Sequence, residues 1–456
     1  MMIKKQRYHL EPDTGLLNDP NGLVFYKGIY HVFFQWNRFE KNHSYKEWGH
    51  FTSKDMVHWK KEGSALVPDQ LYEKNGVYSG SACTKGNQLF LYYTGNNKTD
   101  GVRKSSQCLA ITEDGKTFIK KGVILKTPSE FTEHFRDPKV WHADYGYYMV
   151  VGAQKKNGKG AVALGSSSDG ENWKYDSILA ESDQYEMIEC PDFFEINGQG
   201  MLVYCLQHRD NENDSSQDSF SVYKLFSLDG KTKRSQNSNL DKDWKRLDQG
   251  FDFYAPQTFE APDGRRILLA WMSRMNEKEE KKFSQNEKNI HCMTLPRELS
   301  FKHGELCQLP IKELEQILSE KKYSKKIISR EGLVMDSRLY CLKMTDISER
   351  METNSFAVEL QNGEVVINYN IVDKILRVIR RNWVSGEYEE HSCKIADLNN
   401  LEIWSDISSV EIFVNDGIKN FSMRIFPESD CGKIRITGVS DKSFAKVYDV
   451  LIEEEN

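Results

Sequence analysis

Hydrophobic residues occur along roughly the first 300 positions in short runs, many of them alternating with polar residues, and glycine, asparagine and aspartate separate the runs. Such runs predict antiparallel β-hairpins, because alternate residues of a strand face opposite sides and these three residues favour tight turns. Five of the predicted hairpins resemble one another, each with a strand, a glycine-containing turn and a more apolar strand. They are GLVFYKGIYHVFFQW (22–36), SACTKGNQLFLYYTG (81–95), KVWHADYGYYMVVGAQ (139–154), DFFEINGQGMLVYCLQ (192–207) and QTFEAPDGRRILLAWM (257–272).

The similarity extends beyond the hairpins. Turns of the Ser/Thr-x-Asp-Gly kind, most of them followed by an aromatic residue, come after four of the hairpins, at 52–66, 112–125, 167–179 and 227–233. The repeat length of roughly 55–65 residues is longer than that of common propeller repeats but of the same type. We therefore predict a five-bladed β-propeller of four-stranded blades over residues 1–308. A large β-sandwich is the alternative architecture, but two sheets do not explain a fivefold repeat.

The pattern changes near Leu309. Apolar residues at 311, 314, 317 and 318 have helical spacing and predict a linker helix within 309–323. Beyond it, runs such as FAVEL (356–360) and SVEIFVNDG (409–417) predict strands joined by hairpins. Residues 324–456 are therefore predicted to form an antiparallel β-sandwich, and the fold class is all-β.

Composition narrows the classes of function. The chain has 456 residues and a net charge of −6, so it has no broad basic surface for nucleic acid. No apolar run approaches the roughly 18–20 residues of a membrane helix, and no apolar segment of a secretory signal follows the basic start. Nine cysteines without CxxC or CxxH spacing indicate reduced thiols rather than disulfides or a zinc site. We therefore expect a cytoplasmic protein that acts on a small molecule and contacts neither nucleic acid nor membrane.

Carboxylates stand just before three of the five hairpins. The preceding segments LLNDPNG, VYSGSA, HFRDPKV, MIECPDF and DFYAPQT occupy equivalent places in the five repeats. Because the first strand of each propeller blade lines the central channel, we expect Asp19, Asp137 and Glu189 to converge at one end of the axis. Two structural alternatives exist, since Asp19 fits a type I turn with the Pro-Asn-Gly that follows and Asp137 can pair with Arg136. Three acids in one ring repel one another, which favours a functional site.

Converging carboxylates with aromatic walls suit a sugar. The aromatic residues expected to stack on its apolar faces are Trp36, Trp48, Tyr78, Phe135, Tyr254 and Trp271. Polar candidates for its hydroxyls are Asn18, Gln35, Ser81 and Arg136, and the same segments bring Ser79, Gly80, Cys190 and Gln257. Glycoside hydrolysis needs one ionised and one protonated carboxyl group. The apolar neighbours of Glu189 favour its protonated form and the acid role, whereas Asp19, held by backbone amides of its turn, suits the nucleophile.

The same segments resemble a known family. LLNDPNG, FRDP and MIECP resemble the Asn-Asp-Pro-Asn-Gly, Arg-Asp-Pro and Glu-Cys motifs of glycoside hydrolase family 32, the invertase and fructan hydrolase group, and FFQW, EWGH, YSGS, FYAPQTF and MTLPREL fit as well. The resemblance runs nearly end to end and implies a propeller followed by a sandwich. It implies a retaining β-fructofuranosidase in which Asp19 attacks the anomeric C2, Glu189 is acid and base, and Asp137 holds fructosyl hydroxyls. It implies no metal or organic cofactor.

Within the family, FQWNRFEKNHSYKEWGH, SSQCLA and EHFRDPKVW are most similar to bacterial enzymes that hydrolyse sucrose 6-phosphate, although an arginine replaces their usual proline at 38. The candidates for binding the phosphate are Arg38, His43, Lys46 and Arg103, and the alternative is that they are solvated loop charges. An exo-acting fructan hydrolase or a fructosyltransferase would use the same site. A carbohydrate-binding propeller without turnover is the alternative from another class. A protein-interaction propeller is disfavoured because the blades lack Gly-His and Trp-Asp signatures.

Overall fold

The computed structural model of the chain describes residues 5–99, 101–207, 219–229, 231, 233–235, 238–272, 275–285, 287–320, 332–427, 432–439 and 445–452. Most of the regular structure in these ranges is β-strand. One α-helix, α1 (Glu277–Ser284), and short 3₁₀ helices at Leu71–Glu73, Lys312–Ile317, Ser348–Arg350 and Gln361–Gly363 complete it. Within the same ranges no helix combines the length and the apolar composition needed to cross a membrane.

In the described part of residues 15–310 there are twenty-four strands. They are β1 (Gly15–Tyr26), β2 (Ile29–Asn37), β3 (Glu47–Ser53), β4 (Trp59–Leu66), β5 (Val77–Lys85), β6 (Gln88–Thr99), β7 (Val102–Thr112), β8 (Ile119–Lys126), β9 (Phe131–Ala143), β10 (Gly146–Lys155), β11 (Gly160–Ser167), β12 (Lys174–Glu181), β13 (Met187–Ile196), β14 (Gln199–Gln207), β15 (Phe220–Leu225), β16 (Leu228–Asp229), β17 (Arg234–Ser235), β18 (Lys245–Arg246), β19 (Tyr254–Glu260), β20 (Arg266–Met272), β21 (Asn289–Ile290), β22 (Cys292–Met293), β23 (Arg297–Lys302) and β24 (Glu305–Pro310).

Five antiparallel sheets follow one another along these strands. They are β1-β2-β3-β4, β5-β6-β7-β8, β9-β10-β11-β12, β13-β14-β15-β18 and β19-β20-β23-β24, and β21 adds to β1 in parallel. The first strands of successive sheets contact one another and β19 contacts β1, so the five first strands form a closed ring. The all-β fold class and the propeller are confirmed, and the count of five blades stays a prediction that this ring supports.

The predicted second element of the repeat recurs as one kind of turn. The Oδ1 atoms of Asp114 and Asp169 each accept hydrogen bonds of 2.7–2.9 Å from the amides two and three residues further on, and Oδ1 of Asp55 does the same. The indole N–H of Trp59 and of Trp173 donates to the carbonyl three residues back, at 3.0 and 2.9 Å. Equivalent residues thus form equivalent turns in different sheets, as expected of a repeat.

The last part of the chain forms two further antiparallel sheets. Its strands are β25 (Leu333–Met335), β26 (Tyr340–Met344), β27 (Ser355–Leu360), β28 (Val365–Asn370), β29 (Ile375–Arg381), β30 (Tyr388–Lys394), β31 (Leu401–Asp406), β32 (Ser409–Val414), β33 (Lys419–Arg424), β34 (Gly432–Thr437) and β35 (Lys446–Asp449). The sheet orders are β25-β34-β27-β28-β29-β30 and β33-β32-β31-β26-β35. One hydrophobic cluster takes side chains from both sheets, which is the packing of a β-sandwich.

The predicted linker helix is shorter and of another type. A 3₁₀ helix spans Lys312–Ile317, and Leu318 is already extended, so the α-helix expected within 309–323 is not formed up to residue 320. Its remaining residues, 321–323, lie outside the described residues. Leu314 and Ile317 are buried, so the apolar pattern of the sequence does mark the side that packs against the protein. One 3₁₀ turn is enough to bury both residues.

A buried ion network joins the propeller to the sandwich. Arg297 of β23 contacts Glu411 Oε2 at 2.5 Å and Asp248 Oδ2 at 3.1 Å. His9 lies between Asp406 Oδ2 and Glu411 Oε1, each at 2.8 Å. All five side chains are buried, so each charge depends on its partners for stability. The two sheet systems are therefore held in one arrangement by specific contacts.

Candidate active site

The five first strands share an irregularity at one level of the ring. Regular pairing with the second strand of each sheet is interrupted between Leu17 and Pro20, Tyr78 and Gly80, Arg136 and Lys139, Glu189 and Asp192, and Tyr254 and Gln257. Asp137, Cys190 and Ala255 have φ of 65°, 46° and 49° there, each just before a proline. A bulge bends the strand and changes the direction of its side chains. The bulges therefore carry the candidate residues of all five segments into one region.

The sequence prediction of a turn at Asp19 is wrong. Residues 18–22 lie inside strand β1, which continues to Tyr26, and two irregularities in its pairing surround Asp19 and Pro20. The Asp-Pro-Asn-Gly order, which fits a turn in isolation, instead produces a bulged strand because both flanks pair with β2. Side chains rather than turn amides hold the carboxylate. Asn18 Nδ2 donates to Asp19 Oδ1 at 3.0 Å and Ser79 Oγ donates to Oδ2 at 2.6 Å.

Asp137 is the most deeply enclosed of the three acids. Its Oδ2 accepts the Cys190 amide at 3.0 Å, and its own amide donates to Thr94 Oγ1 at 3.1 Å. Burial raises the pKa of Asp137 to about 7, and the charges of Glu189 and Asp19 act in the same direction, whereas the Arg136 guanidinium opposes them. The carboxyl is therefore balanced between its two protonation states near neutral pH.

Glu189 has polar rather than apolar contacts at its carboxylate, contrary to the sequence expectation. Arg136 donates to Oε1 through Nε at 3.2 Å and Nη2 at 2.6 Å, and the Tyr254 hydroxyl donates to Oε2 at 2.9 Å. Met187 and Ile188, the apolar neighbours in the sequence, are buried away in the sheet. Arg136 Nε also lies 4.0 Å from Asp137 Oδ2, so one guanidinium serves two acids.

The structure brings Asp19 and Asp137 together, and Arg136 joins Glu189 to Asp137. Oxygens of Asp19 and Asp137 and the sulfur of Cys190 all lie within 4.8 Å of one another. Cys190 Sγ is 3.9 Å from Asp19 Oδ2 and 3.6 Å from Asp137 Oδ2, and Glu189 is the preceding residue. Asp19 and Glu189 keep partial exposure, so a small molecule can reach both. The arrangement can supply an accessible nucleophile, a second accessible carboxyl and a buried third one.

Several predicted sugar-binding groups instead bond the backbone of neighbouring strands. Gln35 Nε2 donates to the Val77 carbonyl at 2.9 Å, and Gln257 Nε2 donates to the Gly80 carbonyl at 2.7 Å. Ser81 Oγ donates to the Pro138 carbonyl at 2.7 Å and accepts from a β9 amide. Gly80 is required because a Cβ atom there would lie 1.9 Å from the Tyr92 carbonyl oxygen. The Gln35 and Ser81 bonds join adjacent sheets, and the Gln257 bond crosses the ring from the fifth sheet to the second, so together they hold the bulges in position.

The predicted stacking aromatics divide into two groups. Trp48 and Phe135 are fully buried in hydrophobic clusters and present no ring to a sugar, so stacking by these two is corrected to a packing role. Trp36 and Tyr78 are half-buried, and Tyr254 and Trp271 lie near Glu189, with ring centroids 6.3 Å apart. The difference comes from the neighbouring sheets, which cover Trp48 and Phe135 and leave Trp36 and Tyr78 partly exposed.

The four basic candidates do not form one cluster. Arg38 is paired with Glu47 at 3.6 Å and donates to Ser64 at 3.1 Å, away from the acids. Lys46 is buried and donates to Asn18 Oδ1 and to His43 Nδ1, the latter at 2.9 Å. The Arg103 guanidinium lies 5.9 Å from the centre of the Tyr78 ring, and no carboxylate of the described residues pairs with it. Lys46 thus lies close to Asp19, to which Asn18 connects it, whereas Arg103 lies beside Tyr78.

Sequence reasoning missed Glu280 and His291, which extend the polar network beyond His43. Glu280 lies on α1, and His291 lies between β21 and β22. Asn276 followed three residues later by Glu279 is a capping-box pattern, and both capping bonds are formed. That pattern could have predicted the helix. Nothing in the sequence indicates that Glu280 faces His43, since 236 intervening residues separate them.

Comparison with known proteins matches the whole chain to one family. Residues 9–310 match the model of the glycosyl hydrolases family 32 N-terminal domain, and residues 312–453 match that of the glycosyl hydrolases family 32 C terminal. A sucrose-6-phosphate hydrolase of Bacillus subtilis (strain 168) is 39% identical over 93% of this chain and 89% of its own length. One of Salmonella typhimurium is 35% identical over 96% of this chain and 92% of its own. The structure of the sucrose-6-phosphate hydrolase from Lactobacillus gasseri superposes with a TM-score of 0.86 at 28% identity, covering 98% of this chain and 93% of that one.

Proposed function

Because the chain belongs to glycosyl hydrolase family 32 and is a glycoside hydrolase, we propose that it is a retaining β-fructofuranosidase. Its proposed substrates are sucrose 6-phosphate and sucrose. The sucrose-6-phosphate hydrolases among its relatives support the substrate. The products are fructose and glucose 6-phosphate or glucose. The single observation that carries the mechanism is the meeting of the Asp19 and Asp137 carboxylates within 4.8 Å, beside Glu189.

Asp19 is the proposed nucleophile. Its carboxylate is partly exposed, and Asn18 and Ser79 each donate a hydrogen bond to a different oxygen, which fixes its orientation. Attack on the anomeric C2 of the fructosyl unit forms a covalent ester to Asp19 and breaks the bond to the glucosyl oxygen. Two-point orientation of this kind reduces the entropy that attack would otherwise cost.

Glu189 is the proposed acid and base. It gives a proton to the departing glucosyl oxygen and then takes one from the water that hydrolyses the fructosyl ester, which regenerates both groups. Arg136 and Tyr254 hold its two oxygens separately, so the carboxyl keeps one orientation through both steps. Asp137 forms no covalent bond in this scheme. Its ionised carboxylate accepts hydrogen bonds from fructosyl hydroxyls and thereby stabilises the transition state.

The roles of the two accessible carboxyls are tested by replacing each with alanine and adding azide. We expect Asp19→Ala and Glu189→Ala to stay folded and to lose several orders of magnitude in kcat. Azide should rescue Asp19→Ala with an α-fructosyl azide, by direct displacement, and Glu189→Ala with a β-fructosyl azide, from the covalent intermediate. A substrate with a good leaving group is needed for both. Exchanged configurations would reverse the two roles, and near-normal turnover in either variant would remove that residue from the mechanism.

Recognition of the phosphate is assigned to Arg103 rather than to the other basic candidates. Its guanidinium has no described carboxylate partner and lies over Tyr78 at the rim, whereas Arg38 and Lys46 are engaged with Glu47 and Asn18. We expect Arg103→Ala to reduce the ratio of kcat/KM for sucrose 6-phosphate to that for sucrose by roughly 10-fold, the loss of one charge-assisted contact. Lys104→Ala, the exposed neighbour, is the control. An unchanged ratio would exclude Arg103 from phosphate recognition.

An exo-acting fructan hydrolase or fructosyltransferase would use the same three carboxylates, but the relatives' names do not favour it, and product analysis with sucrose and inulin separates the three activities. A propeller that binds sugar without turnover would release no glucose. We further propose that the catalytic unit is the propeller, residues 1–308, with the sandwich from 324 as a second domain. A cytoplasmic location is proposed as well, supported by the eight described cysteines, all of which are free thiols.

A further inference from the structure

Three metal-ligating side chains lie beside the proposed active site and take no part in its mechanism. They are His43, Glu280 and His291, whose ligand atoms all lie within 4.8 Å of one another. Glu280 Oε1 is 3.0 Å from His291 Nε2 and 3.5 Å from His43 Nε2. Two imidazoles and one carboxylate around one point form a donor set that binds zinc in proteins, with water as a fourth ligand.

Other contacts hold the segments that carry the three ligands. The capping box of Asn276 fixes the start of α1, and at its other end Phe283 packs on Phe426 of the sandwich, with ring centroids 5.0 Å apart. Lys41, two residues before His43, donates to the Glu287 carbonyl at 2.7 Å. The loop and the helix are therefore linked independently of the ligands, which reduces the cost of bringing them together around an ion.

His291 has features that its bond to Glu280 does not explain. It is buried, it has φ of 72° although it is not glycine, and its Nδ1 atom has no hydrogen-bond partner. The Trp271 ring lies 5.2 Å away, and its buried Nε1 also has no partner. The indole N–H only donates and cannot bind a cation, whereas the unpartnered Nδ1 lets the His291 ring carry its proton there while Nε2 binds a metal ion.

The protonation states suit a cation. Burial lowers the pKa of His291, and partial desolvation together with the adjacent Lys46 ammonium lowers the pKa of His43, which favours the neutral form of both imidazoles. Although burial opposes it, the hydrogen bonds of His291 and His43 lower the pKa of Glu280, which is therefore ionised. Neutral imidazoles and an ionised carboxylate are the forms that bind metals.

We propose that His43, Glu280 and His291 form a binding site for a divalent transition-metal ion of the Zn²⁺ class and that its occupation inhibits hydrolysis. Imidazole ligands favour such ions over Mg²⁺ and Ca²⁺, which take oxygen ligands. Zinc–nitrogen bonds of about 2.0–2.1 Å place tetrahedral ligands roughly 3.3–3.5 Å apart. The Glu280 contacts of 3.0 and 3.5 Å lie close to that spacing.

Metal binding changes the tautomer of both imidazoles without net loss of a proton. Lys46 donates to His43 Nδ1, so Nε2 carries the imidazole proton and faces Glu280. When Nε2 binds the metal ion, the imidazole proton moves to Nδ1, which can then no longer accept a hydrogen bond from Lys46. His291 changes from Nε2–H to Nδ1–H in the same way, and its Nδ1 has no competing partner among the described residues.

The link to inhibition passes through Lys46 and Asn18. Lys46 donates to Asn18 Oδ1, and Asn18 Nδ2 donates to Asp19 Oδ1 at 3.0 Å. Loss of the hydrogen bond to His43 frees the Lys46 ammonium to move, which disturbs its bond to Asn18 and thereby the orientation of the proposed nucleophile. Zn²⁺ should therefore lower kcat without competing with substrate for the Asp19 carboxylate.

The test uses Zn²⁺ and Co²⁺ with the whole protein. We expect isothermal titration with Zn²⁺ to give one site, and activity assays to show inhibition that EDTA reverses. Bound Co²⁺ should give the absorption spectrum of a tetrahedral nitrogen–oxygen site. Glu280→Gln and His43→Gln should each weaken Zn²⁺ binding by at least about 100-fold. Because the His43 side chain is half-exposed, its replacement poses little risk to folding.

Glu277→Gln, an exposed glutamate of the same helix, is the matched control and should bind Zn²⁺ as the unaltered protein does. Asp19, Asp137 and Cys190 form the competing site, since their ligand atoms also lie within 4.8 Å of one another. Cys190→Ser should leave Zn²⁺ affinity unchanged. Loss of affinity in Cys190→Ser with retention in Glu280→Gln, or absence of one-site binding, would overturn the proposal.

Discussion

Replacing Arg136 by methionine should raise the pKa of Asp137 and move the pH profile of the enzyme. The guanidinium opposes the burial and the neighbouring charges that raise this pKa to about 7. Nε of Arg136 lies 4.0 Å from Asp137 Oδ2. At that distance two unit charges interact by about 4 kcal/mol at an effective dielectric constant near 20, equivalent to roughly 3 pKa units.

The direction follows from which form of Asp137 works. The proposed role needs the ionised carboxylate, so activity is present above the pKa of Asp137 and is lost as pH falls through it. In the unaltered enzyme we expect an acidic limb of kcat/KM near pH 7. In Arg136→Met that limb should move upward by about 1–3 units, the upper value being the full Coulomb interaction.

The assay is the pH dependence of kcat/KM, because its shape is independent of the loss in amplitude that follows when Glu189 also loses its partner. Arg136→Lys keeps the charge and should keep the limb within about one unit of its original position. The limb should be absent in Asp137→Asn. The electrostatic reasoning would be refuted if the acidic limb of kcat/KM in Arg136→Met stayed in place or moved to lower pH. It would also be refuted if Arg136→Met moved that limb upward in a protein that already carries Asp137→Asn.

Three further predictions concern the framework of the site. Although burial lowers it, bonds to Asp406 and Glu411 raise the pKa of His9 to about 9, so docking of the N-terminal segment is fully stabilised below pH ~6.5 and weakens as pH rises through about 9. Hydrogen-exchange protection factors of residues 6–11, corrected for the intrinsic exchange rate at each pH, should fall over this range, and His9→Gln should remove the fall. Arg297→Met removes the guanidinium partner of two buried carboxylates, Asp248 and Glu411. It should lower the free energy of unfolding by about 3–5 kcal/mol in urea denaturation, against less than about 1 kcal/mol for the exposed Lys245→Met; equal losses would contradict this. Gly80→Ala brings Cβ within 1.9 Å of a backbone oxygen and should displace Ser79 and abolish activity. Gly86→Asn, at an open left-handed turn, is the control and should be active. An active Gly80→Ala enzyme would show that the strand can move to accommodate the Cβ atom.

The sequence was sufficient for the features that local chemistry decides. The alternation of apolar and polar residues predicts the strands, and the recurrent turns predict the repeat. Both signals are local, because every strand must bury one of its faces whatever its position in the fold. The prediction that Asp19, Asp137 and Glu189 meet depends only on equivalent positions in that repeat. The closed ring of first strands brings Asp19 and Asp137 together beside Cys190.

Tertiary structure alone decided how each side chain of the site is used. Asp-Pro-Asn-Gly favours a turn in isolation, but pairing of both flanks with β2 makes it a bulged strand. Trp48 and Tyr78 are both plausible sugar contacts in the sequence, yet one is fully buried and the other half-exposed, because burial depends on the neighbouring sheet. Glu189 lies among apolar residues in the chain and among polar groups in space, since Arg136 and Tyr254 come from other sheets. Side-chain partners across 50 or more residues are set by the packing of whole sheets, and no local pattern encodes them.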